Sequence, residues 1–118
     1  MTDDTTQNPF AGQDLDTLYR ETIDQQRSHL LGLQETFNKR CESAKVVAQE
    51  KLKALAPEDN EGKKTILQEQ KATLEALLKE LKHAIDESTR TVMKRLEEIN
   101  VEREKKIIAD LEKQLATL

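Results

Sequence analysis

Glu80 and His83 are the residues of this 118-residue sequence that come closest to a metal site. Their spacing of three places a carboxylate and an imidazole on one face of a helix, as in di-metal helix bundles. Such a site needs several converging ligands, and the only other histidine is His29. We therefore interpret His83 as a solvated side chain and predict no metal ligand.

Cys41, the only cysteine, is the candidate nucleophile. It lies on an apolar row with no histidine placed to activate it, which favours a small buried hydrophobe over a reactive thiol. The sequence has no phosphate-binding Gly-rich loop, no Ser/His/Asp set and no zinc-ligand spacing. We predict that the protein is not an enzyme, has no catalytic residue and binds no cofactor. One cysteine without a signal-peptide pattern predicts a cytoplasmic protein.

The composition indicates that helices hold these residues. Hydrophobic and charged residues each make up 36 % of the chain and aromatic residues 3 %, which is typical of long helices and coiled coils. The first 16 residues contain four Asp and no Lys or Arg, and the remaining chain is neutral overall. A neutral body with mixed charges has no electrostatic attraction to nucleic acid or anionic lipid, so we predict neither as a partner.

The pattern of breakers and caps divides the chain into a tail and a helical hairpin. Residues 1–13 are predicted to be a disordered acidic tail, in which Asn8-Pro9-Phe10 matches the peptide bound by EH-type domains but is better interpreted as a turn. Asp14 is predicted to cap a helix over residues 15–55. A loop over 56–62, containing Pro57, leads to a helix over 63–118 that either Asn60 or Thr65 could cap.

Apolar residues along both predicted helices recur at intervals of three and four that close on eleven. In the first helix the predicted apolar face consists of Leu15, Tyr19, Thr22, Gln26, Leu30, Leu33, Phe37, Cys41, Ala44, Ala48, Leu52 and Leu55. In the second helix one row consists of Leu74, Ile85, Leu96, Ile107 and Leu118, and the same face also carries Leu77, Leu81, Val92, Ile99 and Leu111. The fold prediction is therefore an all-α, coiled-coil-like, antiparallel two-helix hairpin with an eleven-residue apolar repeat.

The predicted hairpin leaves its second helix longer than the first. Facing residue numbers would sum to about 118, so the stretch from about residue 104 has no partner and extends roughly 22 Å at 1.5 Å per residue. Exposed apolar side chains usually have a partner. We predict that the partner-binding residues are Ile107, Ile108, Leu111, Leu115 and Leu118. The surplus apolar surface also predicts a homodimer with a four-helix arrangement.

These features predict a non-catalytic protein-interaction module, such as an adaptor, small chaperone or scaffold, that binds helices of another protein through the apolar stripe. The architecture resembles small helical chaperones and accessory factors of bacterial secretion systems. One alternative is a structural coiled-coil protein that assembles with itself. Another is a helix that lies on a membrane surface, for which the interleaved Glu and Lys of residues 94–113 are a poor fit.

Overall fold

The computed structural model describes residue 10 and residues 12–118. This part of the chain contains two long α-helices and no strand: α1, Leu15–Lys53, and α2, Asn60–Ala116. The prediction of an all-α chain with two long helices is confirmed. The helix ends differ from the predicted ones, because α1 ends two residues before Leu55 and α2 begins three residues before Lys63.

Asp14 caps the start of α1. Its carboxylate accepts hydrogen bonds from the backbone N–H of Asp16, at 3.1 Å, and from the hydroxyl of Thr17, at 2.7 Å. These bonds satisfy a backbone donor that has no partner inside the helix. The Thr17 hydroxyl is the main cause that lowers the pKa of Asp14 below its ordinary value.

The start of α2 is capped by Asp59 rather than by Asn60 or Thr65. Asp59 accepts a hydrogen bond from the backbone N–H of Gly62, at 2.9 Å, and its carbonyl accepts one from Lys63 N–H, at 3.2 Å. Before this cap, Pro57 follows Ala56 in a turn closed by the bond from Asp59 N–H to the Ala56 carbonyl, at 3.0 Å. The turn and cap together fix the shorter loop, residues 54–59.

The contacts within the chain define two units, Ser28–Glu87 and Met1–Arg27 with Ser88–Leu118. In the unit Ser28–Glu87 the segments of α1 and α2 run antiparallel. Arg40 pairs with Glu80 at 2.6 Å, and Lys51 pairs with Glu69 at 3.5 Å. All four side chains are more than half exposed, so each pair contributes at most about 1 kcal/mol. The buried apolar side chains of this unit are those of Ala48, Ile66 and Leu77.

The unit of residues 10–27 and 88–118 has its own small core. Ile99 of α2 is completely buried, and Thr22 of α1 is buried with its hydroxyl bonded to the Leu18 carbonyl at 2.7 Å. About three turns of α2 before Ile99, the Ser88 hydroxyl donates to the Gln26 side-chain oxygen at 2.7 Å. Towards the start of α1, Arg103 lies 3.1 Å from the Asp16 carboxylate, so here too the two segments run antiparallel.

Leu77 and Ile99, two residues of the predicted apolar face of the second helix, are buried together with Ile66. Leu74, Ile85 and Leu96, from the largest row of that face, are only half-buried. All twelve residues of the apolar face predicted for the first helix are buried or half-buried, although Leu55 follows the end of α1. The packed face of α2 is therefore centred on Leu77 and Ile99 rather than on its largest apolar row.

The two glycines of the unit Ser28–Glu87 differ in their surroundings, which predicts opposite effects of adding a methyl group. No atom lies within 4 Å of a Cβ at Gly32, so Gly32→Ala should raise the free energy of unfolding by about 1 kcal/mol. A Cβ at Gly62 would lie 2.6 Å from Asp59 Oδ2, and Gly62→Ala should displace a cap worth about 1 kcal/mol. Urea unfolding of both variants checks this, and an equal gain at Gly62 would contradict it.

Asp14 should titrate below the usual range of an aspartate. Because its folded-state pKa is lowered, the cap stabilises α1 above the unfolded-state pKa, and this stability is lost as the pH falls through the folded-state value. Thr17→Val removes the main cause and should move the pKa of Asp14 back towards its ordinary value. An NMR titration of the carboxyl carbon measures both; identical pKa values in the two proteins would argue against the bond from Thr17.

Candidate interaction surface

Helix α2 is exposed on all sides beyond Arg103, the residue that lies beside the start of α1. Glu102 and Arg103 are its last half-buried residues, and every residue from Glu104 to Leu118 is exposed. The guanidinium of Arg103 contacts both the Asp16 carboxylate, at 3.1 Å, and the face of Tyr19, 5.6 Å from its ring centroid. These contacts mark the end of the part of α2 that packs on α1 in this unit.

Seven apolar side chains of α2, together with Leu118 just past its end, form a band that we call the apolar strip. At about 100° per residue they fall within about 140° of the helix circumference, beside the buried face that carries Ile99. Seven of the eight are between 46 % and 102 % exposed, and Leu96 is half-buried. The apolar strip consists of Met93, Leu96, Val101, Ile107, Ile108, Leu111, Leu115 and Leu118.

All five residues predicted to bind a partner belong to the apolar strip. Leu111 is 51 % exposed and Leu115 is 68 % exposed. The strip is longer than the predicted set, because Met93, Leu96 and Val101 extend it along α2 beside α1. The partner-binding set predicted from the sequence was confined to the stretch beyond residue 104 and therefore did not include these three residues.

A shallow groove of about 890 Å³ runs along the first half of the apolar strip. Its apolar lining includes Met93, Leu96 and Ile108, with Tyr19 of α1 at one side. Charged side chains of both signs also line it, namely Arg90, Lys94, Glu97, Glu104 and Lys105. An apolar floor with charged edges suits the apolar face of an amphipathic helix.

Phe10 lies in the segment predicted to be a disordered tail, yet it is only 5 % exposed. The Arg95 guanidinium lies 5.3 Å from its ring centroid, and the ring shares a small cavity with Glu98 and Val101. A turn closed by the hydrogen bond from Gln13 N–H to the Phe10 carbonyl leads from this ring towards α1. A buried ring does not fit presentation of an Asn-Pro-Phe peptide; Asn8 and Pro9 lie outside the described residues.

The residues considered for chemistry do not come together. His83 is exposed, with Nε2 3.9 Å from a Glu87 carboxylate oxygen, and His29 is exposed on α1. Cys41 is a half-buried free thiol on the packed face of α1. In residue 10 and residues 12–118, no three His, Cys, Asp or Glu side chains are grouped so that they could hold a metal ion.

No protein-family model matches this chain, no curated protein matches its sequence, and no solved structure matches its fold. None of the helices in the described part is long and apolar enough to cross a membrane. The geometry of the apolar strip is therefore the observation from which a function can be argued.

Two isoleucines of α2 should respond very differently to truncation. Ile99 is 0 % exposed, and Ile99→Ala should lower the free energy of unfolding by about 2–5 kcal/mol because it leaves a cavity in the small core. Ile107 is about half exposed, and Ile107→Ala should change the free energy by no more than about 0.5 kcal/mol. Thermal unfolding at protein concentrations where stability is concentration-independent measures both; similar losses would contradict the described burial.

Proposed function

We propose that this chain is a non-catalytic helix-binding module, of the adaptor, small-chaperone or scaffold kind. Its apolar strip takes the apolar face of a helix. The observation that carries this proposal is the exposure of Ile107, Ile108, Leu111 and Leu115 on one side of a helix that has no neighbour there among the described residues. A band of this kind is larger than the scattered apolar side chains of an ordinary surface.

The energetics favour a helical ligand. Burial of a fully exposed Leu or Ile side chain contributes about 1.5–3 kcal/mol, and about half of that is available at each half-exposed position of the strip. A partner helix with apolar residues at spacings of three and four would present a matching ridge. Several such contacts supply enough favourable free energy to offset the cost of association.

The same surface supports the proposal that the protein is not an enzyme. The groove is open along its length, and the charged side chains that line it are exposed to water. Catalytic sites depend on the exclusion of water, which strengthens their electrostatic interactions. The cytoplasmic location predicted from the lone Cys41 remains a prediction.

The eleven-residue repeat and the four-helix dimer belong to this proposal. The row of Leu96, Ile107 and Leu118 continues at intervals of eleven from the half-buried part of α2 into its exposed part. A close to straight helix keeps such a row on one side, so a single partner helix could follow it. Pairing of two copies of the chain would make a four-helix arrangement.

A second candidate function is open-ended self-assembly, in which the chain is a structural element. It is favoured by an apolar surface in the other unit, where exposed Leu67 and Leu78 flank half-buried Leu74. Two different apolar surfaces on one chain are what a non-closing assembly requires. Sedimentation velocity distinguishes the candidates, because self-assembly predicts particles that keep growing with concentration.

The paired change Leu111→Lys with Leu115→Lys should abolish partner capture. Lysine places two charges on the centre of the apolar strip, while both positions are exposed and α2 should stay folded. The matched control is Ala109→Lys, because Ala109 is an exposed residue on the opposite side of the same helix. Pull-downs with tagged chains, compared by mass spectrometry, and circular dichroism of each variant measure the effect.

The proposal expects a set of proteins captured by the wild type and by the Ala109 variant but lost from the double variant. Equal capture by all three chains, with unchanged helicity, would contradict it.

A further inference from the structure

We propose that the helix bound by the apolar strip is the same strip of a second copy of this chain, laid antiparallel. This inference rests on the proposed function and identifies the occupant of the surface described above. In the pairing, Leu118 of one copy faces Met93 of the second copy, and Leu115 faces Leu96 of the second copy. The two-fold axis passes between Lys105 and Lys106.

The exposed area of the strip agrees with what a stable dimer needs. Seven of its side chains are between 46 % and 102 % exposed, and each offers on the order of 100 Å² of apolar surface. Two copies paired along the whole strip would remove on the order of 1,400 Å² from water, within the roughly 1,200–2,000 Å² of specific interfaces. The five residues beyond Glu104 alone would give on the order of 1,000 Å², so the overlap has to extend to Met93.

In this antiparallel register the last two large side chains of the strip face strip residues of the second copy, Leu115 facing Leu96 and Leu118 facing Met93. Pairs of facing residues have to lie on opposite sides of the midline of the strip or together on it. At about 100° per residue, Met93 with Leu118 and Asn100 with Leu111 lie close to the midline. Leu96 and Leu115 lie on opposite sides of it, as do Ile107 and Glu104. A shift by one heptad would place Leu118 opposite Asn100 or Asp86, and Leu115 opposite Arg103 or Thr89.

The charges at the edges of the strip are self-complementary in this register. Lys94 and Glu112 lie on one edge, and pairing of two copies places each Lys94 beside the Glu112 of the second copy. Arg103, which also contacts Asp16 of its own chain, and Asp110 lie on the other edge, and each Arg103 lies near the Asp110 of the second copy. Each pair occurs twice because the dimer is symmetric, and complementary charges fix orientation more than they add affinity.

The polar residues within the strip argue against a parallel dimer. Glu97 and Glu104 lie inside the groove that borders the strip. A parallel, in-register pair would place each of these carboxylates against its own copy, which is unfavourable for like charges. In the antiparallel register the two Glu97 side chains instead lie about 25 Å apart along the helices.

Disulfide trapping tests the register directly. In a Cys41→Ser background, Asn100→Cys combined with Leu111→Cys should give a disulfide-linked dimer on non-reducing gels under mild oxidation. The two cysteines of one chain lie about 16 Å apart along α2 and cannot bond to each other. Each single cysteine variant is the matched control, because the antiparallel register places its two copies about 16 Å apart as well.

Linked dimer from the double variant alone supports the proposal. Linkage of the single variants to the same extent would indicate parallel pairing, and no linkage in any variant would indicate that the strips do not pair; either result overturns the proposal.

Analytical ultracentrifugation separates failure of this inference from failure of the proposed function. The wild type and the Ala109→Lys variant should sediment with the mass of two chains, and the variant with Lys at 111 and 115 with the mass of one. A monomeric wild type whose partner capture still depends on Leu111 and Leu115 overturns the inference and leaves the proposed function standing. A dimeric wild type that captures no other protein through the strip supports the inference and contradicts the proposal that the strip binds other proteins.

Discussion

Burial of a narrow apolar face between α1 and α2 is the constraint on which the remaining structure depends. In each unit only a few side chains are taken out of water, with Ile66 and Leu77 in one and Ile99 in the other. The ion pairs that join the helices are exposed and contribute little, and the caps at Asp14 and Asp59 decide where helices begin rather than whether they pack. Without the buried face, helices of this composition would have little reason to pair.

The apolar strip exists because α2 carries more apolar surface than α1 can cover. Beside the start of α1 the packed face of α2 ends at Arg103, and large apolar residues continue from Ile107 onwards. The strip also lies to one side of the packed face, so Met93 and Val101 remain exposed even where α1 is present. The side of α2 that carries Ile99 packs on α1. The neighbouring side, which carries the apolar strip, is exposed.

The sequence predicted burial most accurately where the apolar residues form a narrow face. In α1 the apolar face is narrow and flanked by charged residues, and all of its predicted positions are buried or half-buried. In α2 apolar residues cover a wide arc, so the pattern cannot distinguish a packed face centred on Leu77 and Ile99 from one centred on Leu74 and Leu96. Burial of Phe10 could not be predicted because a lone aromatic residue in a polar segment has no periodicity. The sequence did not single out Asp59 as the cap of α2, because Asn60 and Thr65 also have side chains that can cap a helix.

The hydrogen bond between Gln26 and Ser88 has a consequence for the length of the exposed part of α2. It joins α1 to α2 about three turns before Ile99, and a displacement of α1 by one helical turn would break it and leave the Gln26 and Ser88 side chains without this half-buried bond. This bond therefore opposes sliding of α1 along α2. By holding α1 and α2 in one alignment, it determines how many turns of α2 project beyond the first turn of α1, and therefore how much surface a partner can cover.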